Sequence, residues 1–113
     1  RLSGRVETRD GLSLEGVLVY DLDEAMDFEL LDGQNGNISY RVPFKYVQEI
    51  EPKNYKYTWV KLSGGTELVL GTMCDVTAAN DGVLAFRAGG EVVYVRWRDV
   101  KRVELWTKVK QND

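Results

Sequence analysis

Apolar residues occur in short runs separated by turn-forming residues, and this pattern predicts β-strands along the whole chain. The first half contributes these apolar positions: Val6, Leu14, Val17, Val19, Phe28, Leu30, Ile38, Tyr40 and Val42. Asp10-Gly11 separates the first two runs and predicts a tight hairpin, because glycine tolerates a positive φ. Asp32-Gly33 and Asn35-Gly36 predict a longer loop between the runs 28–31 and 38–42. Helical periodicity is weak, so the predicted fold class is all-β.

The second half repeats the first with a shift of 54 residues, which later becomes 53. The matched pairs are Val6 with Val60, Gly11 with Gly65, Leu14 with Leu68, Asp21 with Asp75, Val42 with Val95, Phe44 with Trp97, Val47 with Val100 and Ile50 with Val103. Periods of this size are typical of duplicated small units. We therefore predict two five-stranded barrel-like units, 2–53 and 54–110, each with a single 3₁₀ turn before its last strand.

The predicted core consists of apolar residues at alternate positions of the strands. In the first unit it comprises Val6, Leu14, Val19, Phe28, Leu30, Val42, Phe44, Val47 and Ile50. In the second unit it comprises Val60, Leu62, Leu68, Leu70, Val83, Val93, Val95, Trp97, Val100 and Val103. Units this small bury limited apolar surface, so we predict that they pack together and unfold together.

Two segments of the first half, 16–21 and 26–30, carry a family resemblance. Gly16-Val17-Leu18-Val19-Tyr20-Asp21 and Met26-Asp27-Phe28-Glu29-Leu30 resemble the first Sm motif, and the segment 42–50 is similar to the end of Sm-like and SH3-like barrels. The chain also resembles exported bacterial proteins that carry a double unit of this kind. The resemblance implies two tandem SH3-like or Sm-like barrels packed together, a periplasmic or extracellular location and, as one alternative, nucleic-acid binding. Asp27 replaces the asparagine of the motif, and a carboxylate repels phosphates.

The composition excludes most enzyme chemistry. The chain has no histidine, which removes the usual general base near neutral pH and the commonest transition-metal ligand. A single cysteine, Cys74, excludes an internal disulfide and a cysteine-rich zinc site, and we interpret it as a small apolar filler. No catalytic residue and no cofactor are predicted. No apolar segment approaches the ~20 residues that span a bilayer.

Charge is unevenly distributed, with eight acidic and no basic residues in 10–40 and a net charge of +3 in 41–113. Such asymmetry indicates either a partner surface or two halves that dock on each other. The acidic run Asp21, Asp23, Glu24 and Asp27 is a candidate calcium loop, since calcium prefers carboxylate oxygens. The alternative is a solvated acidic loop, because Met26 stands where an EF-hand requires glycine.

The end of the chain interleaves basic and aromatic residues, a pattern that suits single-stranded nucleic acid. The candidate residues are Arg96, Arg98 and Trp106, followed by Lys108 and Lys110. An overall pI of about 5.0 opposes that function. The leading prediction is therefore a non-catalytic binding or assembly module that offers exposed strand edges to a protein or peptide partner. Nucleic-acid binding and calcium binding are the alternatives.

Overall fold

The computed structural model describes residues 1–106, and these form one antiparallel sheet of ten strands, which confirms the all-β prediction. The strands are β1 (Leu2–Thr8), β2 (Ser13–Tyr20), β3 (Leu30–Asn35), β4 (Ile38–Pro43), β5 (Val47–Pro52), β6 (Tyr57–Leu62), β7 (Glu67–Gly71), β8 (Val83–Phe86), β9 (Val92–Val95) and β10 (Val100–Leu105). Single 3₁₀ turns occupy Phe44–Tyr46, Cys74–Val76 and Trp97–Asp99. Within 1–106 no helix has the length and apolar character needed to cross a membrane.

The strands lie in the order β4-β3-β7-β6-β5-β10-β1-β2-β8-β9. The order is symmetric between the two halves of the chain. If each of β1–β5 is replaced by the strand five places later, and each of β6–β10 by the strand five places earlier, the same order results when it is read from the opposite end. The β8–β9 hairpin pairs with β2, and the β3–β4 hairpin pairs with β7. Each half of the chain therefore gives one hairpin to the other half. The boundary predicted at 53/54 lies in the turn between β5 and β6, and the division into two units stays a prediction.

The sheet does not close on itself in the part of the chain that the structure describes. Its two end strands, β4 and β9, each have one strand neighbour there. Gly16 lets β2 and β8 approach closely, because a Cβ at this position would lie 2.0 Å from the carbonyl oxygen of Phe86. Both open edges belong to the exchanged hairpins, β3–β4 and β8–β9.

The buried side chains form one cluster, and Tyr20 lies at its centre. Tyr20 is 1% exposed, and its ring centroid lies 5.3 Å from that of Phe44 and 5.7 Å from that of Trp97. Phe44 and Trp97 were matched by the sequence comparison of the two halves, and each begins the 3₁₀ turn before the last strand of its half. Tyr20 therefore joins equivalent turns from the two halves, and sequence reasoning did not include it in the core.

Most of the predicted core is buried, and the exceptions have a local reason. Phe28 was wrongly predicted: it is 66% exposed, because it lies in the turn before β3 and not in a strand. Val19 is partly exposed, since Leu18 and Tyr20 are the residues of β2 that point inward. Four other predicted core residues are only partly buried: Leu30, Leu62, Leu68 and Val93. The prediction for Asp32-Gly33 was also wrong, because both residues lie inside β3.

Candidate functional site

The structure brings together three of the four predicted acidic residues. Ligand oxygens of Asp21, Asp23 and Glu24 lie within 4.8 Å of one another. Asp27 is not part of this group. It lines a hollow of 240 Å³ together with Lys45 and Trp106. The acidic run is therefore divided between a carboxylate cluster and a separate hollow.

Asp75 is a neighbour of this cluster that the sequence did not nominate as a site residue. Asp21 and Asp75 occupy matching positions of the two halves and are 8% and 7% exposed. Burial, and then the neighbouring Asp75, raise the pKa of Asp21. Ionisation of one buried carboxyl group opposes ionisation of its neighbour, so this part of the fold favours the protonated acid.

Each of these aspartates also holds the hairpin that comes from the other half. Asp21 follows β2, and its Oδ1 accepts the main-chain N–H of Asp81, just before β8, at 2.5 Å. Asp75 follows β7, and its Oδ2 accepts the main-chain N–H of Asp32, in β3, at 2.9 Å. The Asp75 carbonyl oxygen accepts the Tyr20 hydroxyl at 2.6 Å and the Asn80 amide at 2.9 Å. The two aspartates thus fix both exchanged hairpins and the central tyrosine.

Burial governs the protonation of this cluster. Loss of solvent, followed by the carboxyl neighbours, raises the pKa of Asp21 to about 7 and that of Glu24 to about 9. Burial likewise raises the pKa of Asp75 and the pKa of Tyr20. One carboxyl oxygen of Glu24 is buried and has no hydrogen-bond partner among residues 1–106. Burial therefore favours the protonated form of these carboxyl groups in the folded protein.

The geometry does not favour calcium at this cluster. Calcium takes six to eight oxygen ligands, and three carboxylates supply too few unless the main chain contributes several more. One oxygen of Asp21 already accepts the Asp81 N–H. Calcium binding by the acidic loop stays a prediction.

The turn that carries Asp21 is strained. Asp21 and Leu22 have φ values of 54° and 58°, and the Asp23 N–H closes the turn by donating to the carbonyl oxygen of Tyr20 at 3.1 Å. Two successive positive φ values are typical of a type I′ turn, which prefers Asn-Gly. Leucine in the left-handed region costs roughly 1–2 kcal/mol. This unfavourable backbone conformation occurs at the turn that directs Asp21 toward Asp75.

We expect Leu22→Gly to raise the free energy of unfolding by about 1 kcal/mol, because glycine adopts this φ without strain and loses some of the gain to chain entropy. Urea denaturation measures the difference. Leu12→Gly is the matched control, since Leu12 is also exposed and does not have a positive φ. Leu12→Gly should lower the free energy of unfolding, because glycine adds chain entropy to the unfolded state and relieves no strain. A Leu22→Gly variant that is less stable than the parent would show that the turn is not strained.

The predicted basic and aromatic residues do not form one surface. Arg96 is paired with Asp99 at 2.9 Å, and Arg98 is exposed and offers its carbonyl oxygen to the Arg9 side chain. Trp106 is 46% exposed and lies beside Val17 in a separate hollow of 440 Å³. Lys108 and Lys110 lie outside the described residues. The nucleic-acid alternative stays a prediction, without support from the placement of the residues that were nominated for it.

Trp106 instead borders a solvent-facing apolar surface that we call the apolar face. It consists of two rows across β2, β8 and β9: Val17, Phe86 and Val92 in one row, and Val19, Leu84 and Tyr94 in the other. Val92 and Tyr94 are about half exposed, and Phe86 is 41% exposed. Contiguous exposed apolar patches on a small protein commonly mark a binding surface.

The other half of the chain provides an internal comparison for the apolar face. The equivalent positions on β3 and β4 are polar: Asp32, Gln34, Ser39 and Arg41 stand where the apolar face has Leu84, Phe86, Val92 and Tyr94. The matching strands of the other half therefore form with polar residues at these positions. Of the residues of the apolar face, Tyr94 also has an internal partner, since its hydroxyl donates to the Asp81 carbonyl oxygen at 2.8 Å.

The two open edges of the sheet differ in the same way. The β4 edge carries Arg41, which is exposed, and ends in Pro43. Charged residues and proline protect an edge strand from pairing with another chain. The β9 edge reads Val92-Val93-Tyr94-Val95 and has neither device. The unprotected edge is thus the one that borders the apolar face.

Comparison with known proteins gives no relative. No family model, no curated protein and no solved structure matches the chain. The site must therefore be interpreted from its own geometry.

Sequence reasoning missed the apolar face, although a signal was present. An antiparallel strand with one solvated face alternates apolar and polar residues. Ile38-Ser39-Tyr40-Arg41-Val42 follows that rule, whereas the equivalent Glu91-Val92-Val93-Tyr94-Val95 is apolar on both faces. Comparison of the two repeats, position by position, would have found it.

Proposed function

We propose that this protein is a non-catalytic binding module that docks a protein or peptide partner on the apolar face. The observation that carries the proposal is the difference between the two halves, which are polar and apolar at equivalent positions. One half has Ser39 and Arg41 at the positions where the other half has Val92 and Tyr94, so solubility does not favour the apolar pair. A docked partner would remove Val92 and Tyr94 from water.

The proposal includes the relation to small β-barrels and the internal repeat. Its support is the matching 3₁₀ turn before β5 and before β10, each beginning with a buried aromatic residue, Phe44 or Trp97. The symmetric strand order is consistent with duplication of a five-stranded unit that exchanged hairpins. The absence of an enzymatic role also remains part of the proposal.

The test is selection of a random peptide library displayed on phage against the immobilised protein. We expect wild-type protein to enrich binding peptides. The variant Val92→Ser/Tyr94→Arg, which copies the residues of the polar edge, should enrich none of them.

The matched control changes the equivalent positions of the other half, as Ser39→Ala/Arg41→Ala, and should retain the enrichment. Thermal unfolding checks that both variants remain folded. Failure of wild-type protein to enrich any sequence, or equal enrichment by the Val92→Ser/Tyr94→Arg variant, would overturn the proposal.

A further inference from the structure

The space beside β9 is a groove with two walls. Strand β9 forms one wall, and the turn between β1 and β2 forms the other, with a volume of 490 Å³ between them. Leu14 and Val95 are buried at its base, and Val93 is partly buried there. Leu12 is 56% exposed at the lip of the turn. A single extended chain placed here would have apolar surface beneath it and the open edge of β9 beside it.

Four charged residues line the groove, Arg9, Asp10, Arg96 and Asp99, and their formal charges sum to zero. The Arg96 guanidinium contacts Asp99, the Arg9 side chain donates to the carbonyl oxygen of Arg98, and Asp10 accepts the Thr8 hydroxyl. A ligand segment with a net charge would gain no net attraction from this lining. The groove therefore suits an uncharged segment.

The available area decides between a peptide and a second copy of the chain. Phe86, Tyr94 and Trp106 are each about half exposed, and a whole aromatic side chain buries about 150–250 Å². With Val92, the apolar face offers on the order of 400 Å². A stable protein interface needs roughly 800 Å² per partner. An added strand compensates for small area with main-chain hydrogen bonds, which a partner that only covers the face does not make.

We propose that the partner is an extended, uncharged segment that adds to β9 as an eleventh strand, with apolar residues at alternate positions. Its inward side chains lie on Leu14, Val93 and Val95, and its outward side chains extend the two rows of the apolar face. This inference rests on the proposed function and specifies its ligand.

The experiment uses two synthetic probes of identical sequence, a capped peptide of alternating valine and threonine. One probe has an ordinary backbone, and the other is N-methylated at every residue, so that neither of its edges can donate hydrogen bonds. Amide hydrogen exchange of the whole protein is followed by NMR. We expect the ordinary probe to slow exchange of the free amides of 92–95 about tenfold or more, and the methylated probe to leave it unchanged.

Three other outcomes would overturn the inference, and they show whether the proposed function fails with it. Equal binding of both probes to the apolar face, without protection of β9, would reject strand addition and leave the proposed function standing. No binding of either probe at millimolar concentration would reject the assigned chemistry, while the phage selection judges the function separately. Sedimentation velocity of the protein without probe tests whether a second copy occupies the apolar face. A dimer of the wild-type protein that the Val92→Ser/Tyr94→Arg variant does not form would assign the face to a second copy and overturn the inference.

Discussion

Tyr20→Ala should lower the free energy of unfolding by about 3–5 kcal/mol, which is the usual cost of removing a buried aromatic side chain. Tyr20 is almost fully buried and contacts both Phe44 and Trp97, so the cavity would lie between the two halves. A domain of this size is stable by only about 5–15 kcal/mol. Urea unfolding followed by tryptophan fluorescence measures the loss.

Two variants separate the contributions of the tyrosine. Tyr20→Phe keeps the ring and loses the hydroxyl bond to the Asp75 carbonyl oxygen, so it should cost about 1 kcal/mol. Tyr55→Ala removes a tyrosine that is 68% exposed and should change stability by less than about 0.5 kcal/mol. A Tyr20→Ala variant as stable as Tyr55→Ala would contradict the central position assigned to this side chain.

Stability should fall as the pH rises from about 4 to about 7. Unfolded aspartate has a pKa near 4, whereas the folded pKa of Asp21 is about 7, so the folded protein binds more protons between these values. The stabilisation is complete below the lower value and is lost as the pH passes the higher value. Its size is on the order of 2–4 kcal/mol. We expect Tm at pH 8 to be roughly 10 °C below Tm at pH 5.

Asp21→Asn measures the contribution of Asp21 to this fall. An asparagine Oδ1 accepts the Asp81 N–H and carries no charge, so the variant imitates the protonated acid at every pH. We expect a higher Tm than wild type at pH 8 and a flatter profile between pH 4 and pH 7, while Glu24, whose folded pKa is about 9, still lowers stability at higher pH. Asp27→Asn, at an exposed aspartate of the same loop, is the matched control. A wild-type profile that rises between pH 5 and pH 8 would contradict the raised pKa of Asp21.

The pattern of apolar runs and turn residues predicted the strands, because strand and hairpin formation depend on residues that are close in the sequence. The same pattern did not predict that β8 pairs with β2 or that β3 pairs with β7, since pairing of distant strands depends on the whole sheet. It also failed at Phe28, where an apolar residue in a turn resembles the start of a strand. The exchange of hairpins is therefore a result of the structure.

The candidate site was likewise predicted only in part. The sequence matched Asp21 with Asp75, yet only the pairing of distant strands makes the two residues neighbours. The sequence grouped Trp106 with Arg96 and Arg98 because they are close in the chain, whereas Trp106 borders the apolar face and Arg96 the groove. Chain proximity was a poor guide here, because Arg96 and Arg98 lie at the 3₁₀ turn before β10 and Trp106 follows the far end of that strand.

The apolar face depends on the exchanged hairpins, since it combines β2 of the first half with β8 and β9 of the second. Backbone proton NOEs of the wild-type protein detect this strand pairing. We expect cross-strand NOEs between Leu18 and Ala85, and between Gln34 and Gly71. NOEs that pair β2 with β3 and β7 with β8 instead would place each hairpin in its own half and rule out the exchange.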